Sequence, residues 1–234
     1  MTLKAIIFDV DGTLADTEDG HRKSFNKAFA ENGLEWNWDV ALYDKLLKVT
    51  GGKERIKYYV ESFLPDFHKP ADYEGFVKNL HVVKTGHYTA MLREGSIPLR
   101  PGIKQLIDDA RKAGIILAIS TTTSPENVSA LLEVSLGKDW EKYFAANGCG
   151  DIVPHKKPAP DIYNWVLNEL KLAPQDCIAL EDSYNGLHSA LSAGIRTYIT
   201  TNPYTHKQDF SGAAAVFDDL SDLPRFYNLI GLRA

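Results

Sequence analysis

The stretch FDVDGTLADTE, residues 8–18, sets two carboxylates, Asp9 and Asp11, two positions apart at the end of an apolar run. An unpaired charge is expensive to desolvate, and a lone aspartate at a strand end ordinarily forms a turn or caps a helix. That role fits one carboxylate better than two, because a pair on the same side of a sheet end repels unless a cation lies between them. A second acidic pair, Glu181 and Asp182, ends another apolar run at residues 177–180. Three or four carboxyl oxygens converging on one point are hard ligands that suit Mg2+, with room left for water and a phosphate. Two roles are then open to Asp9, metal ligand and nucleophile. A carboxylate attacks phosphorus to give an acyl phosphate where a metal and nearby donors neutralise the oxygens. Asp11 could then protonate the leaving oxygen and later deprotonate water. Gly12, lacking a Cβ, lets the chain turn sharply as it leaves the strand.

These residues need elements that bring them together. Residues 5–8 form a short apolar run of the kind buried on both faces of a parallel sheet, and the pattern recurs at 115–120, 177–180, 195–200 and 213–217. Helical stretches lie between, one opened by Ser124-Pro125-Glu126 as N-cap, first-turn proline and early acid, others closed by Gly114 and Gly194. Alternating strands and helices predict an α/β fold, a doubly wound parallel sheet whose ligands sit beyond the carboxyl ends of its strands. Those ends carry Asp9, Asp11, Thr121, Glu181 and Asp182. From about residue 17 to 94 only helical periodicity is found, in residues such as Phe25 and Phe29, Leu42 and Leu46, Ile56 and Val60, Val77 and Leu80. The expected organisation is a core of residues 1–16 and 97–234 with an inserted all-helical cap, residues 17–96, over the first strand's end.

Composition narrows the function classes. The 234 residues, 44% apolar and 24% charged, suffice for one substantial core and a small second one. A net charge of -5 gives no footprint for nucleic acid or an anionic membrane, so anion binding must be local. Cys149 and Cys177 are far apart, without His or Cys at metal-ligand spacing, and are expected as reduced core thiols. No stretch approaches a membrane span, and a core strand beginning near Leu3 leaves no room for a signal or transit peptide. The expectation is a cytoplasmic monomer.

The four acidic and polar strand ends, taken in order, resemble the haloacid dehalogenase superfamily in its subgroup with a helical cap. Asp9-Val10-Asp11-Gly12-Thr13 is similar to its first motif and Thr121 to its second. Lys157-Pro158, in the run 155–161, resembles the third, and Glu181-Asp182 the fourth. The resemblance implies Asp9 as nucleophile, Asp11 as acid and base, Thr121 as a phosphate-binding hydroxyl and Lys157 as the cation facing the phosphate. It also implies Mg2+ held by the Asp9 side chain, the Asp11 carbonyl and Asp182, with Glu181 as accessory acid through water. Lys156 and Lys157 are equivalent on chemistry alone, and the spacing to Pro158 selects the second.

The cap should choose the substrate. Glu18 and His21, three apart at a helix start, could share one face toward the cleft. Lys53 and Arg55, in the turn opened by Thr50 and Gly51, could meet a second anionic group, although spacing of two on a continuing helix points them apart. The segments ADTEDGHRKSFNKAFAE, VTGGKERI and STTTSPENV, the last containing Thr122, resemble the CbbY proteins of Calvin-cycle bacteria and plastids. Those dephosphorylate xylulose-1,5-bisphosphate, so a phosphorylated sugar is the expected ligand. A haloacid dehalogenase uses no second acid at the Asp11 position, and a phosphonatase needs a Schiff-base lysine, for which Lys53 is a candidate. A β-phosphoglucomutase shares the core motifs and a cap histidine like His21. A catalytically inactive phosphate-binding module would have lost the acids, and all four motifs are intact.

Overall fold

The computed structural model describes residues 3–232, so the outermost residues of the expected core, 1–2 and 233–234, lie outside the description. Six parallel strands form one sheet in the order β3-β2-β1-β4-β5-β6. They are β1 (Ala5–Phe8), β2 (Ile116–Ser120), β3 (Ala146–Gly148), β4 (Cys177–Glu181), β5 (Arg196–Thr200) and β6 (Ala215–Phe217). In β1 all four side chains are buried, as a central strand covered on both faces requires. Ala5 is in register with Ile116 of β2 and with Cys177 of β4, so β1 lies at the point where the winding reverses. In open α/β sheets that is where a ligand crevice opens, and Asp9 is the next residue. Both cysteines are buried and free.

Strand β3 is absent from the expectation. It has three residues, Ala-Asn-Gly, with no branched or aromatic side chain, and exists because Ala146 and Gly148 pair with Ala118 and Ser120 of β2. Ser124 stands at the expected N-cap, but its side chain makes no capping bond.

The insertion that follows β1 consists of four helices with no strand among them: α1 (Glu18–Glu31), α2 (Val40–Leu46), α3 (Gly52–Phe63) and α4 (Tyr73–Arg93). They enclose an apolar cluster of their own, built on Phe25, Phe29, Trp38, Tyr43, Ile56, Tyr59, Val77 and Leu80. In α2 Tyr43 and Leu46 are buried in it, and Leu42 packs against it partly buried. Trp38 belongs to the connection before α2 and packs its ring, tilted by 44°, on Phe25 with the centroids 4.5 Å apart. Of the remaining helices, α5 (Ile103–Lys112) leads into β2, and α6 (Pro125–Leu136), α7 (Asp161–Leu170), α8 (Tyr184–Ser192) and α9 (Leu223–Ile230) follow β2, β3, β4 and β6.

The two segments joining the helical insertion to the sheet run side by side, with a bridge between Ala15 and Leu99 and a hydrogen bond from Arg100 N to Leu14 O. The buried Arg100 guanidinium donates to the carbonyls of Gly12, Thr200, Thr201 and Asp218 and pairs with Asp16. One side chain thus ties both connections to the loops at the sheet's C-terminal edge.

Candidate active site

Asp9 continues the β1 ladder, its N–H donating to Leu180 O at 3.0 Å, which aims its side chain off the end of the sheet. Its Oδ1 accepts from Lys157 Nζ at 2.7 Å and its Oδ2 from Thr13 Oγ1 at 3.1 Å. Lys157 is buried and spends its three protons on Asp9, on Ser120 O at 2.8 Å and on Glu181 Oε1 at 2.6 Å. Tyr163 Oη of α7 donates to the same Glu181 oxygen at 2.6 Å. Glu181 is wholly buried, and a Cβ at Gly186 would overlap its carboxylate, so α8 packs onto it only because that residue is glycine. Of the two candidate lysines, Lys157 therefore reaches Asp9. Lys156 points elsewhere, to Asp151 and Glu54.

One carboxylate oxygen from each of Asp9, Glu181 and Asp182 lies within 4.8 Å of the others. Burial works against the charge of Lys157, but Asp9 and Glu181 outweigh it and hold the ammonium above the ordinary lysine value. Burial also raises the Asp9 and Asp182 carboxyls, and the charge of Glu181 adds to the rise of both. Asn202 Nδ2 donates to Asp182 Oδ2 at 2.7 Å and fixes it. Lys157 pairs with only two of the three acids, Asp9 and Glu181, so the cluster keeps negative charge and free lone pairs facing one another, which fits a hard divalent cation. Gly12 has φ +81°, and a Cβ there would overlap the Asp182 carboxylate, so its glycine serves both the turn and the approach of that acid.

Asp11 turns the other way. Its Oδ1 accepts from Thr17 Oγ1 at 2.7 Å and faces His21 Nε2 at 2.9 Å, and its carboxylate is not part of the acidic cluster. His21 Nδ1 lies 2.5 Å from Nζ of Lys84, a buried residue of α4. Burial and the Lys84 charge both push the His21 imidazole down, so at neutral pH it is uncharged. It then accepts from Lys84 at Nδ1 and donates to Asp11 from Nε2. Burial raises the Asp11 carboxyl, but His21, Thr17 and Lys84 together bring it well below the usual range. Because the imidazole is neutral, its share is a hydrogen bond, and the positive charge Asp11 feels is that of Lys84. Burial lowers Lys84 itself to about 7. Its ammonium lies over the rings of Phe25 and Tyr88, at 5.1 and 4.7 Å.

Facing these groups across a cavity of about 1560 Å³ are the helices of the insertion. Every site residue named from the sequence lines this cavity except Glu181, which is sealed beneath it. Glu18 Oε2 accepts from Tyr43 Oη at 3.1 Å, and Arg55 donates to the same hydroxyl at 2.9 Å. Lys53 reaches over to Asp151 on the sheet side at 2.6 Å. Lys53 and Arg55 thus point apart, as their spacing requires. Thr50 Oγ1 accepts from Asn185 of α8 at 2.8 Å, and Gly51 takes φ +99° to open α3. Thr121 is buried at the end of β2, its hydroxyl accepting from Thr123 N–H at 3.2 Å, with Thr122 beside it on the cavity wall.

A family model for haloacid dehalogenase-like hydrolases matches residues 3–194, and the acids and lysine described above fall within that match. The chain belongs to the haloacid dehalogenase-like hydrolases. It is 48% identical over 94% of its length to the CbbY protein of Cupriavidus necator, 87% of which is covered. The crystal structure of CbbY from Rhodobacter sphaeroides in complex with phosphate superposes with a TM-score of 0.89 at 44% identity, covering 95% of this chain and 96% of that one. An aspartate-to-asparagine variant of the same protein, in complex with xylulose-1,5-bisphosphate, matches at 43% identity with the same TM-score and coverage. This hydrolase is a phosphatase of that family. Among the described residues, no helix is long and apolar enough to cross a membrane.

Sequence reading missed several residues of the hydrolase site. Lys84 sits on the inward stripe of α4 with Val77, Leu80 and Tyr88, and a lysine at such a position was the available signal. Tyr43, Tyr163 and Asn202 reach the site by tertiary packing, and nothing local distinguishes them from ordinary core or loop residues.

Proposed function

We propose that this phosphatase is Mg2+-dependent and removes a phosphate from a sugar bisphosphate, xylulose-1,5-bisphosphate, through an aspartyl phosphate on Asp9. The core would comprise residues 1–16 and 97–234, and the helical cap residues 17–96. Mg2+ would be held by the Asp9 and Asp182 side chains and the Asp11 carbonyl, with Glu181 as the accessory acid. When bound, the cation neutralises carboxylate and phosphate charge together. Asp9 attacks phosphorus, and Lys157 and Thr121 bind the phosphoryl oxygens. Asp11 gives its proton to the leaving oxygen and then takes one from the water that hydrolyses the acyl phosphate. With its carboxyl held well below the usual range, Asp11 is ionised at neutral pH. The negative charge of the arriving phosphate raises its pKa, so that Asp11 takes up from solvent the proton it then delivers.

On the cap side, Glu18, His21, Thr50, Gly51, Lys53 and Arg55 would receive the sugar and its second anionic group, with Thr122 on the core wall. The observation that carries the proposal is Asp9 clamped at 2.7 Å by Lys157 inside a buried acidic cluster, in a cavity whose opposite wall bears Lys53 and Arg55. The relative bound to xylulose-1,5-bisphosphate supports the substrate. The test is a panel of phosphorylated sugars with Mg2+, scored for free phosphate against isomerised product. Phosphate release highest on the bisphosphate is expected. Isomerised product without phosphate would make the protein a mutase.

A further inference from the structure

Away from the acidic cluster, one chain of alternating charges joins the helical insertion to the sheet loops. Lys53 Nζ donates to Asp151 Oδ2 at 2.6 Å, and Lys156 Nζ pairs with Oδ1 of the same carboxylate at 2.9 Å. Lys156 also donates to Glu54 at 3.2 Å. Lys53 and Glu54 belong to the first turn of α3, whereas Asp151 and Lys156 lie on the segment between β3 and α7. A Cβ at Gly51 would lie 2.9 Å from Lys156 Nζ, so the glycine leaves room for this lysine to reach across. Lys53, Asp151 and Lys156 all line the catalytic cavity. The Lys156 side chain is 15% exposed, that of Lys53 34% and that of Asp151 60%, so Lys156 is the anchored part, Lys53 is half-buried and the carboxylate is the most readily removed. Two ammonium groups converging on one small oxyanion is also a donor arrangement that a phosphate dianion accepts.

We propose that Asp151 determines specificity: it fills the place where Lys53 and Lys156 take the remote anionic group of a substrate, and only a dianion displaces it. The inference rests on the function proposed above and adds Asp151 and Lys156 to it. Asp151 satisfies both lysines while no substrate is present. A remote carboxylate gains nothing by exchanging with it, since the two groups carry the same charge. A phosphate brings a second negative charge to the same two cations and wins the exchange. A substrate with no remote anion leaves the ion pairs in place.

The test reads binding without turnover, in the Asp9→Asn background, by calorimetric titration of xylulose-1,5-bisphosphate and of p-nitrophenyl phosphate, a monophosphate with no remote anion. Adding Asp151→Asn removes the competitor, so the ratio of the two Kd values should move toward the bisphosphate by about fivefold or more. Lys156→Met should move it the opposite way. A fold-level role for Asp151 would change melting temperature and leave the ratio alone. A ratio unchanged by Asp151→Asn, or moved toward the monophosphate, overturns the proposal. Should the Asp9→Asn parent show no preference for the bisphosphate, the substrate assignment fails by itself. The role of Asp151 then stands if its replacement still tightens the bisphosphate, and falls if both Kd values stay put.

Discussion

Lys157 has an acceptor for each of its three ammonium protons, and two of these acceptors are the acids Asp9 and Glu181. Such a group cannot be lost without leaving two buried carboxylates facing each other. Asp9→Asn is the gentler change, nearly isosteric and one charge lighter, but unable to form an acyl phosphate. It should abolish phosphate release while the melting temperature stays or rises, and full activity in that variant would remove Asp9 as nucleophile. Lys84 offers a pH-dependent prediction. The unfolded chain holds its proton up to the ordinary value of 10.5, whereas the folded protein yields it near about 7. The cost of burying its charge is therefore fully present below about 7 and fades as pH rises toward 10.5. Lys84→Met should melt higher than the parent at about pH 6, with the gap closing toward about pH 10, and should lose activity by tenfold or more as His21 and Asp11 lose their partner, an effect of about 1.4 kcal/mol at the least. A Met variant that melts lower at acid pH would show that the ammonium is better solvated than its surroundings indicate.

At the scale of elements, the strands bearing the chemistry were legible because β1, β2, β4 and β5 are central enough to be apolar runs. The edge strand β3 was not, since three residues of Ala-Asn-Gly carry no pattern and are held by pairing with β2. The helices of the insertion were legible from their stripes, but the aromatic connection through Trp36 and Trp38 follows no helical period and is organised by packing on Phe29 and Tyr59. Asp9 and Asp11 could be read because motif and strand end coincide, and Lys157 because its motif places it before Pro158. The network from Glu18 through Tyr43 to Arg55 required the folded helices. The α3 lysine makes an element-scale prediction. The Lys53 side chain is 34% exposed and already paired with Asp151, so its contact with a second phosphate is partly solvated. Lys53→Ala should cost about 1–2 kcal/mol in kcat/KM for the bisphosphate and much less for p-nitrophenyl phosphate. Equal losses on both would assign Lys53 to the fold.

Across the whole molecule, Arg100 gathers the two connections and three sheet-edge loops onto one buried guanidinium. Its replacement by Met strands those carbonyls without a donor and should destabilise the protein by about 3–5 kcal/mol, read as a large fall in melting temperature. The acidic cluster couples the fold to its cation in the same way. Burial and mutual repulsion raise the Asp9 and Asp182 carboxyls, so their ionisation costs stability above the unfolded carboxylate value of 3.8. Mg2+ added to chelated protein should raise the melting temperature at about pH 7 and do so less at about pH 4.5, where protons already neutralise the acids. Asp182→Asn should reduce that rise. The most direct measurement of the central claim is rapid acid quench of the enzyme turning over xylulose-1,5-bisphosphate with Mg2+, followed by peptide mass spectrometry. The expected result is one phosphoryl group on the peptide containing Asp9, absent in Asp9→Asn. Turnover of the bisphosphate with the phosphoryl group on another residue, or with none on the enzyme at any quench time, would contradict it.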